Sequence, residues 1–241
     1  MTVDQQRHPR LWRLVTARVG QHRRPSGWAG VVCDVVVQEV GVDAAAITVH
    51  AAARTQELVA ASDEWAQRLE ELQFTVGEGP GQEAFTSGGP VLMADLDVAA
   101  GRWPGFSAAA AGTGLAAMFS FPIQSGPVRL GTLNLYRHLR GVLAPPELAD
   151  AAALADLATT ALLTDSRPVP HEAPAAWARA DAPGHYDDVN VATGMLAAQL
   201  HVSVEDAFLR LRAHAFSHDI PVFEVARAVL QRRLRLDSIP D

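Results

Sequence analysis

Six arginines, Arg210, Arg212, Arg227, Arg232, Arg233 and Arg235, fall between residues 201 and 236, against the four acids Glu205, Asp206, Asp219 and Glu224. A guanidinium is a planar fork of donors that grips phosphate through two parallel hydrogen bonds and stacks on bases, so the chemistry this segment offers is the binding of a polyanion. The segment is net positive inside a chain whose formal charge is -7. A small basic helical module on an acidic protein suggests a polyanion partner.

Three short amphipathic helices must position these side chains: YDDVNVATGMLAAQLHV, SVEDAFLRLRAHAFSH and IPVFEVARAVLQRRLRL. In the second, Asp206, Arg210 and His214 recur every four residues, which permits an Asp206–Arg210 surface pair. Arg212 lies on a different face, flanking the apolar stripe Val204, Ala207, Phe208, Leu211 and Ala215. In the third, Arg227, Gln231 and Arg235 form an exposed stripe beside Val222, Val225, Ala226 and Val229. Gly194 interrupts the first helix at a cost of about 1 kcal/mol relative to alanine, which implies close approach by a neighbouring helix or by a bound partner.

Upstream, the polar N-terminus includes a helix candidate from Pro9 to Val19, readable as a docking helix or a frayed arm. Ala29, Val32, Cys33, Val36, Val37 and Val40 have the spacing of a buried helix face ending at Gly41, which places Cys33 in a core. Strands are expected at ITVHA, LVAA, MFSFPI and RLGTLNLYR, with a helix after LVAA whose N-cap is Ser62. Residues 77–114 are rich in glycine and proline and read as loops closing over the sheet. A nearly apolar helix from Pro145 to about Leu163 carries a seam of Leu148, Ala152, Ala155, Thr159 and Leu162, suited to pairing with a second chain or to packing on its own sheet. Pro168, Pro170, Pro174 and Pro183 mark the stretch 164–185 as a linker.

Length and composition fit one or two globular domains. No apolar run reaches the roughly 20 residues that span a bilayer and no secretory signal is visible, so the expectation is a cytoplasmic protein without a membrane partner. The single cysteine rules out an internal disulfide and any multi-cysteine zinc or redox motif. GEGPG at 77–81 lacks the lysine and Ser/Thr of a phosphate loop. His171, His185, His201, His214 and His218 have no metal-ligand spacing to acids, and no Ser-His-Asp arrangement emerges; the expectation is no catalytic residue, metal or cofactor.

The tail motifs A-T-G-M-L (192–196), A-F-L-R-L-R-A-H-A (207–215) and V-A-R-A-V-L (225–230) resemble ANTAR domains, the RNA-binding antiterminator modules of bacterial regulators. LEELQFTVGEGPGQEAF (69–85), PVLMADL (90–96), RWPGF (102–106), FSFPI (119–123), VRLGTLNLYR (128–137) and LADAAALADLAT (148–159) resemble the GAF sensor domains that precede ANTAR in actinobacterial proteins. The resemblance implies an α+β fold, a GAF-like antiparallel sheet flanked by helices, followed by a small all-α three-helix domain. The corresponding segments are a basic arm at 1–24, the sensor at 25–163, the linker at 164–185 and the ANTAR-like domain at 186–238.

It further implies a homodimeric transcription antitermination regulator whose partners are nascent-transcript RNA hairpins and a small-molecule effector. RNA contacts would come from Thr193, Gly194, Arg210, Arg212, Arg227, Gln231, Arg232 and Arg235. A ligand in the GAF-like part would meet Arg102, Trp103, Phe106, Met118, Phe119 and Phe121. The chain departs from the family at Val191, where a polar residue is common, at Ile220, where a basic one is, and at Gly81, where cysteine is frequent. Thiol sensing at Gly81 is thereby excluded. Rival readings are a helix-turn-helix-like DNA-binding unit, or a dimerisation module that binds no nucleic acid.

Overall fold

The computed structural model describes residues 3–19, 27–51, 55–99, 101–165, 186–218 and 220–236. Five strands, β1 (Ala44–Ala51), β2 (Thr55–Ala61), β3 (Val91–Met93), β4 (Ala117–Ser125) and β5 (Val128–Arg137), form one antiparallel sheet of order β2-β1-β5-β4-β3. Because successive strand residues point to opposite faces, the sheet presents two different surfaces. Ala45, Ile47, Phe119, Phe121, Leu133 and Leu135 face helices α1 (Val3–Val19), α2 (Gly27–Val36) and α7 (Pro145–Asp165). Ala44, Ala46, Met118 and Tyr136 face α3 (Glu64–Val76), α4 (Pro80–Ser87), α5 (Leu96–Ala99) and α6 (Pro104–Ala110).

The N-terminal segment is a docking helix. Leu11 and Val15 are buried against the first sheet face, and Arg7 and Arg10 both pair with Asp150 of α7, at 2.7 and 2.6 Å. Cys33 lies fully buried, and burial pushes its thiol pKa far up. After α2 the chain adds one π-turn (Val37–Gly41) before entering β1. The α7 seam is largely covered inside the protomer: Ala155, Thr159 and Leu162 are buried, whereas Ala152 is exposed. The helix packs on β4, α2 and α1, which accounts for its apolar character without a second chain.

Two sequence expectations differ from the structure. The N-cap of α3 is Asp63, whose carboxylate accepts from Ala66 N at 2.8 Å, while Ser62 accepts from Ala45 N of β1 at 3.0 Å. Residues 77–114 hold three short helices and an edge strand, with loops only between them. Their glycines and prolines act as punctuation: Gly77 and Gly88 end α3 and α4 in the left-handed conformation, and Pro80 and Pro104 open α4 and α6.

The C-terminal unit consists of α8 (Asp187–Leu200), α9 (Val204–Ser217) and α10 (Val222–Leu230), packed around Val189, Ala192, Leu196, Ala207, Leu211, Ala215, Val225 and Val229. Ser203 caps α9, its hydroxyl accepting from Asp206 N at 3.0 Å. The interval 166–185, which contains most of the expected linker together with His171 and His185, lies outside the described residues.

Candidate nucleic-acid interface and ligand site

The C-terminal arginines divide into two groups. Arg227, Arg232, Arg233 and Arg235 are exposed on and beyond α10, with Gln231 among them accepting a hydrogen bond from Arg233. Arg227 meets Asp188 of α8 at 3.4 Å, and both side chains are largely solvated, so this pair is worth a few tenths of a kcal/mol and yields readily to a phosphate. The end of α10 is closed by bonds from Arg232 N to Val229 O (2.9 Å) and from Arg233 N to Ala228 O (2.8 Å). That motif puts Arg232 at φ 56°, where glycine is the usual occupant. Keeping a side chain there costs about 1 kcal/mol, and strain of this kind gathers at functional positions.

Arg212 lies apart from that group. Its Nε donates to the carbonyl of Thr75 at 2.8 Å, at the end of α3, and its guanidinium covers the Phe208 ring at 5.5 Å. Arg210 is half-buried on α9; among the described residues it makes no ion pair, Asp206 being held instead by the Ser203 hydroxyl at 2.7 Å. Thr193 is buried and donates to Val189 O at 2.6 Å, a role internal to α8. Gly194 opens onto free space: a Cβ there would meet nothing within 4 Å among the described residues, so none of their helices accounts for it. Val191 and Met195 are exposed on the same helix.

The six candidate ligand residues fall on both sides of the sheet. Trp103, Phe106 and Met118 pack on the α3 face, whereas Phe119 and Phe121 pack on the α7 face, so they line no common cavity. Arg102 is an exposed surface residue whose guanidinium pairs with Glu83 and lies 4.7 Å over Trp103. Glu83 also accepts from the Trp103 indole at 3.1 Å.

The α3 face instead holds a buried polar cluster. The Glu70 carboxylate accepts from Thr48 Oγ1 (2.8 Å), Asn134 Nδ2 (2.6 Å) and Tyr136 OH. Burial raises the Glu70 pKa, and these three hydrogen bonds pull in the opposite direction. Gln73 accepts from Gly81 N at 2.9 Å. Asn134 Oδ1 and Ser120 Oγ are buried without a hydrogen-bond partner among the described residues. A narrow cleft reaches this cluster past His50, Gln56 and Gln82. His50 stacks on Phe85 at 3.7 Å, and desolvation lowers its pKa to about 4. Sequence reasoning missed the cluster because Glu70 and Gln73, in a helix beginning EWAQRLEELQ, look like solvent-facing charge and amide. Among the described residues no group of three or more His, Cys, Asp or Glu is arranged to hold a metal ion. None of their helices is long and apolar enough to cross a membrane.

A helix-flanked antiparallel sheet followed by a compact three-helix unit defines a two-part α+β protein with its polar chemistry under α3 and its arginines at the far end of the chain. Comparison with protein families matches a GAF domain over residues 24–163 and an ANTAR domain over residues 184–230. The chain belongs to the GAF family and carries an ANTAR domain behind its GAF domain, the composition of a signal-regulated RNA-binding regulator.

Among solved structures, the GAF domain of a phosphoenolpyruvate-protein phosphotransferase from Coxiella burnetii is similar at 15% identity and a TM-score of 0.51, over 68% of this chain and 96% of that one. This similarity concerns the fold. A domain of a putative two-component sensor histidine kinase from Sinorhizobium meliloti 1021 aligns at 19% identity, with a TM-score of 0.47, over 56% of this chain and 88% of that one. Comparison with curated proteins found no match.

Proposed function

We propose that the protein is a cytoplasmic, non-enzymatic transcription antitermination regulator. In this reading a GAF sensor at 25–163 responds to a small molecule and controls an RNA-binding tail at 186–238, joined by the linker at 164–185. The observation that carries it is the ANTAR match over 184–230, falling on helices whose C-terminal end bears exposed arginines, one of them held at a position that favours glycine.

Arg227, Arg232 and Arg235 grip phosphates of a nascent-transcript hairpin, with Gln231 beside them and Arg210 contributing from α9. The open surface at Gly194 admits RNA backbone, while Thr193 supports the helix from within. Sequence-specific RNA recognition targets unpaired loops, so specificity is expected from loop bases and affinity from the arginines. The effector belongs under α3, where buried polar atoms of Asn134 and Ser120 lack partners among the described residues; this replaces the aromatic set expected from the sequence. Two copies acting together as a homodimer would place two such tails on one transcript.

Fluorescence anisotropy of the full chain against a hairpin RNA and a length-matched DNA duplex, at low and moderate salt, tests the reading. Salt-sensitive binding to RNA is expected, with Arg227→Ala plus Arg232→Ala weakening it by about tenfold or more and flattening the salt dependence. Preference for the duplex would sink the RNA reading in favour of a DNA-binding regulator. Binding to neither would favour an interaction module.

A further inference from the structure

Phe74 stands on the GAF helix α3, yet its side chain belongs to the core of the three-helix domain. Its ring stacks on Tyr186 at 4.1 Å and 7° and lies 5.4 Å from Phe208 and 6.0 Å from Phe223. It is 4% exposed, and its buried neighbours are those of the C-terminal cluster rather than of either sheet face. Around it the two domains satisfy each other's helix ends. Arg212 of α9 donates to the Thr75 carbonyl, in the last turn of α3, where carbonyls lack helical partners and a cation is favoured. In return the Thr75 hydroxyl accepts from Val222 N in the first turn of α10 at 3.4 Å, and Glu57 of β2 accepts from Tyr186 N at 3.4 Å. The guanidinium of Arg212 occupies the space that a Gly77 side chain would fill.

We propose that this contact is an autoinhibitory latch: the three-helix domain is seated on α3 by Phe74, and Arg212 is withheld from RNA until α3 moves. The proposal rests on the RNA-binding reading of the tail. Helix α3 is the natural lever because it touches both sites. Glu70 and Gln73 lie in the polar cluster beneath it, and Phe74 and Thr75, the next residues in the chain, hold the C-terminal domain. A ligand that engages the cluster and shifts α3 would loosen both the Phe74 seat and the carbonyl that holds Arg212. The exposed arginines of α10 stay reachable in the latched state, so the latch sets the strength of RNA binding by withholding one contact.

The test uses the full chain and a fluorescein-labelled hairpin RNA with an unpaired loop. Phe74→Ser should increase the radius of gyration measured by small-angle X-ray scattering. It should also tighten RNA binding on the order of tenfold, the worth of one regained charge-assisted contact, and steepen the slope of log K against log salt by about one. Adding Arg212→Gln to Phe74→Ser should abolish that gain. Gly77→Ala keeps the Phe74 ring and displaces the guanidinium, at the strain cost of a side chain in the left-handed cap of α3, so it should also tighten binding and covers the case in which Phe74→Ser unfolds the C-terminal helices. An unchanged radius with unchanged affinity in Phe74→Ser would overturn the latch. So would expansion without gain, or a Gly77→Ala protein that binds RNA as the parent does. If no form binds RNA at any salt, the RNA reading itself fails and the inhibitory role falls with it; parent binding without gain in the variants defeats the latch alone.

Discussion

The two faces of the sheet are built for different ends. Against α1, α2 and α7, the sheet contributes Ala45, Ile47, Phe119, Phe121, Ile123, Leu133 and Leu135, an apolar set in which no side chain needs a hydrogen-bond partner. Against α3, the same strands contribute Thr48, Ser120, Thr132, Asn134 and Tyr136 around a buried carboxylate, and two of their polar atoms have no partner among the described residues. Unpaired polar atoms in a core cost stability that an apolar residue of the same size would not. The first face therefore supplies stability, and the second gives some of it up to unsatisfied polar groups. The helix covering that second face also seats the C-terminal domain, through Phe74.

The largest effect expected from this contrast is on the apolar face. Leu154 of α7 is fully buried there, and Leu154→Ala should lower unfolding free energy by about 2–5 kcal/mol, through lost transfer energy and the cavity left behind. Urea unfolding followed by circular dichroism measures it. A loss below 1 kcal/mol would mean that this face is as loosely packed as the other and would erase the distinction.

The polar face should show itself in the pH dependence. The His50 pKa is lowered from 6.5 to about 4 by desolvation, so the folded protein binds fewer protons than the unfolded chain between those values. Its contribution is complete above pH 6.5 and is lost as pH falls towards 4. At about 1.4 kcal/mol per unit, the upper limit is about 3 kcal/mol, reduced because the ring is partly open to solvent. Glu70 runs the other way: its raised pKa makes its contribution complete below the ordinary carboxyl value of 4.5 and lost as pH rises through the folded value. Unfolding free energies of the parent and His50→Gln between pH 4 and 7 separate the two groups. The variant should lose less stability on acidification, and parallel curves would assign the pH sensitivity elsewhere.

Much of the fold was legible because local rules governed it. Four of the five strands follow from spacing and turn signals, β3 being the exception, the Cys33 helix face and the apolar α7 follow from spacing, and the three-helix tail follows from its periodicity. What escaped required knowledge of partners. The aromatic ligand set is the exception: Met118 and Phe119 are adjacent strand residues and face opposite ways, a rule that the sequence alone supplies. Glu70 has no local mark of burial, since its three donors arrive from β1 and β5. Phe74 did carry a signal: nine residues after Trp65, or about two and a half turns, it emerges on the opposite side of α3. The aromatic rings that receive it are more than a hundred residues away in the chain, and no periodicity could identify them. Arg212 was assigned to RNA on the same local grounds as Arg227, and only the tertiary contact with Thr75 distinguishes the two.

The smallest expected effect bears most directly on the polar face. Ser120 is fully buried on β4, and its hydroxyl has no partner among the described residues. If that hydroxyl is kept only for a ligand, Ser120→Ala should leave the apo protein equally stable or more stable by up to about 1 kcal/mol, because an unsatisfied polar group is removed and almost no volume is lost. A structural hydroxyl bound to a buried water would behave otherwise, since its removal would break that bond and cost about 1 kcal/mol. Urea unfolding resolves the sign. A stabilised variant would mark Ser120 as a residue retained against stability, as expected at a ligand site. A destabilised one would make the cluster under α3 a hydrated structural core, leaving the sensor to receive its signal elsewhere.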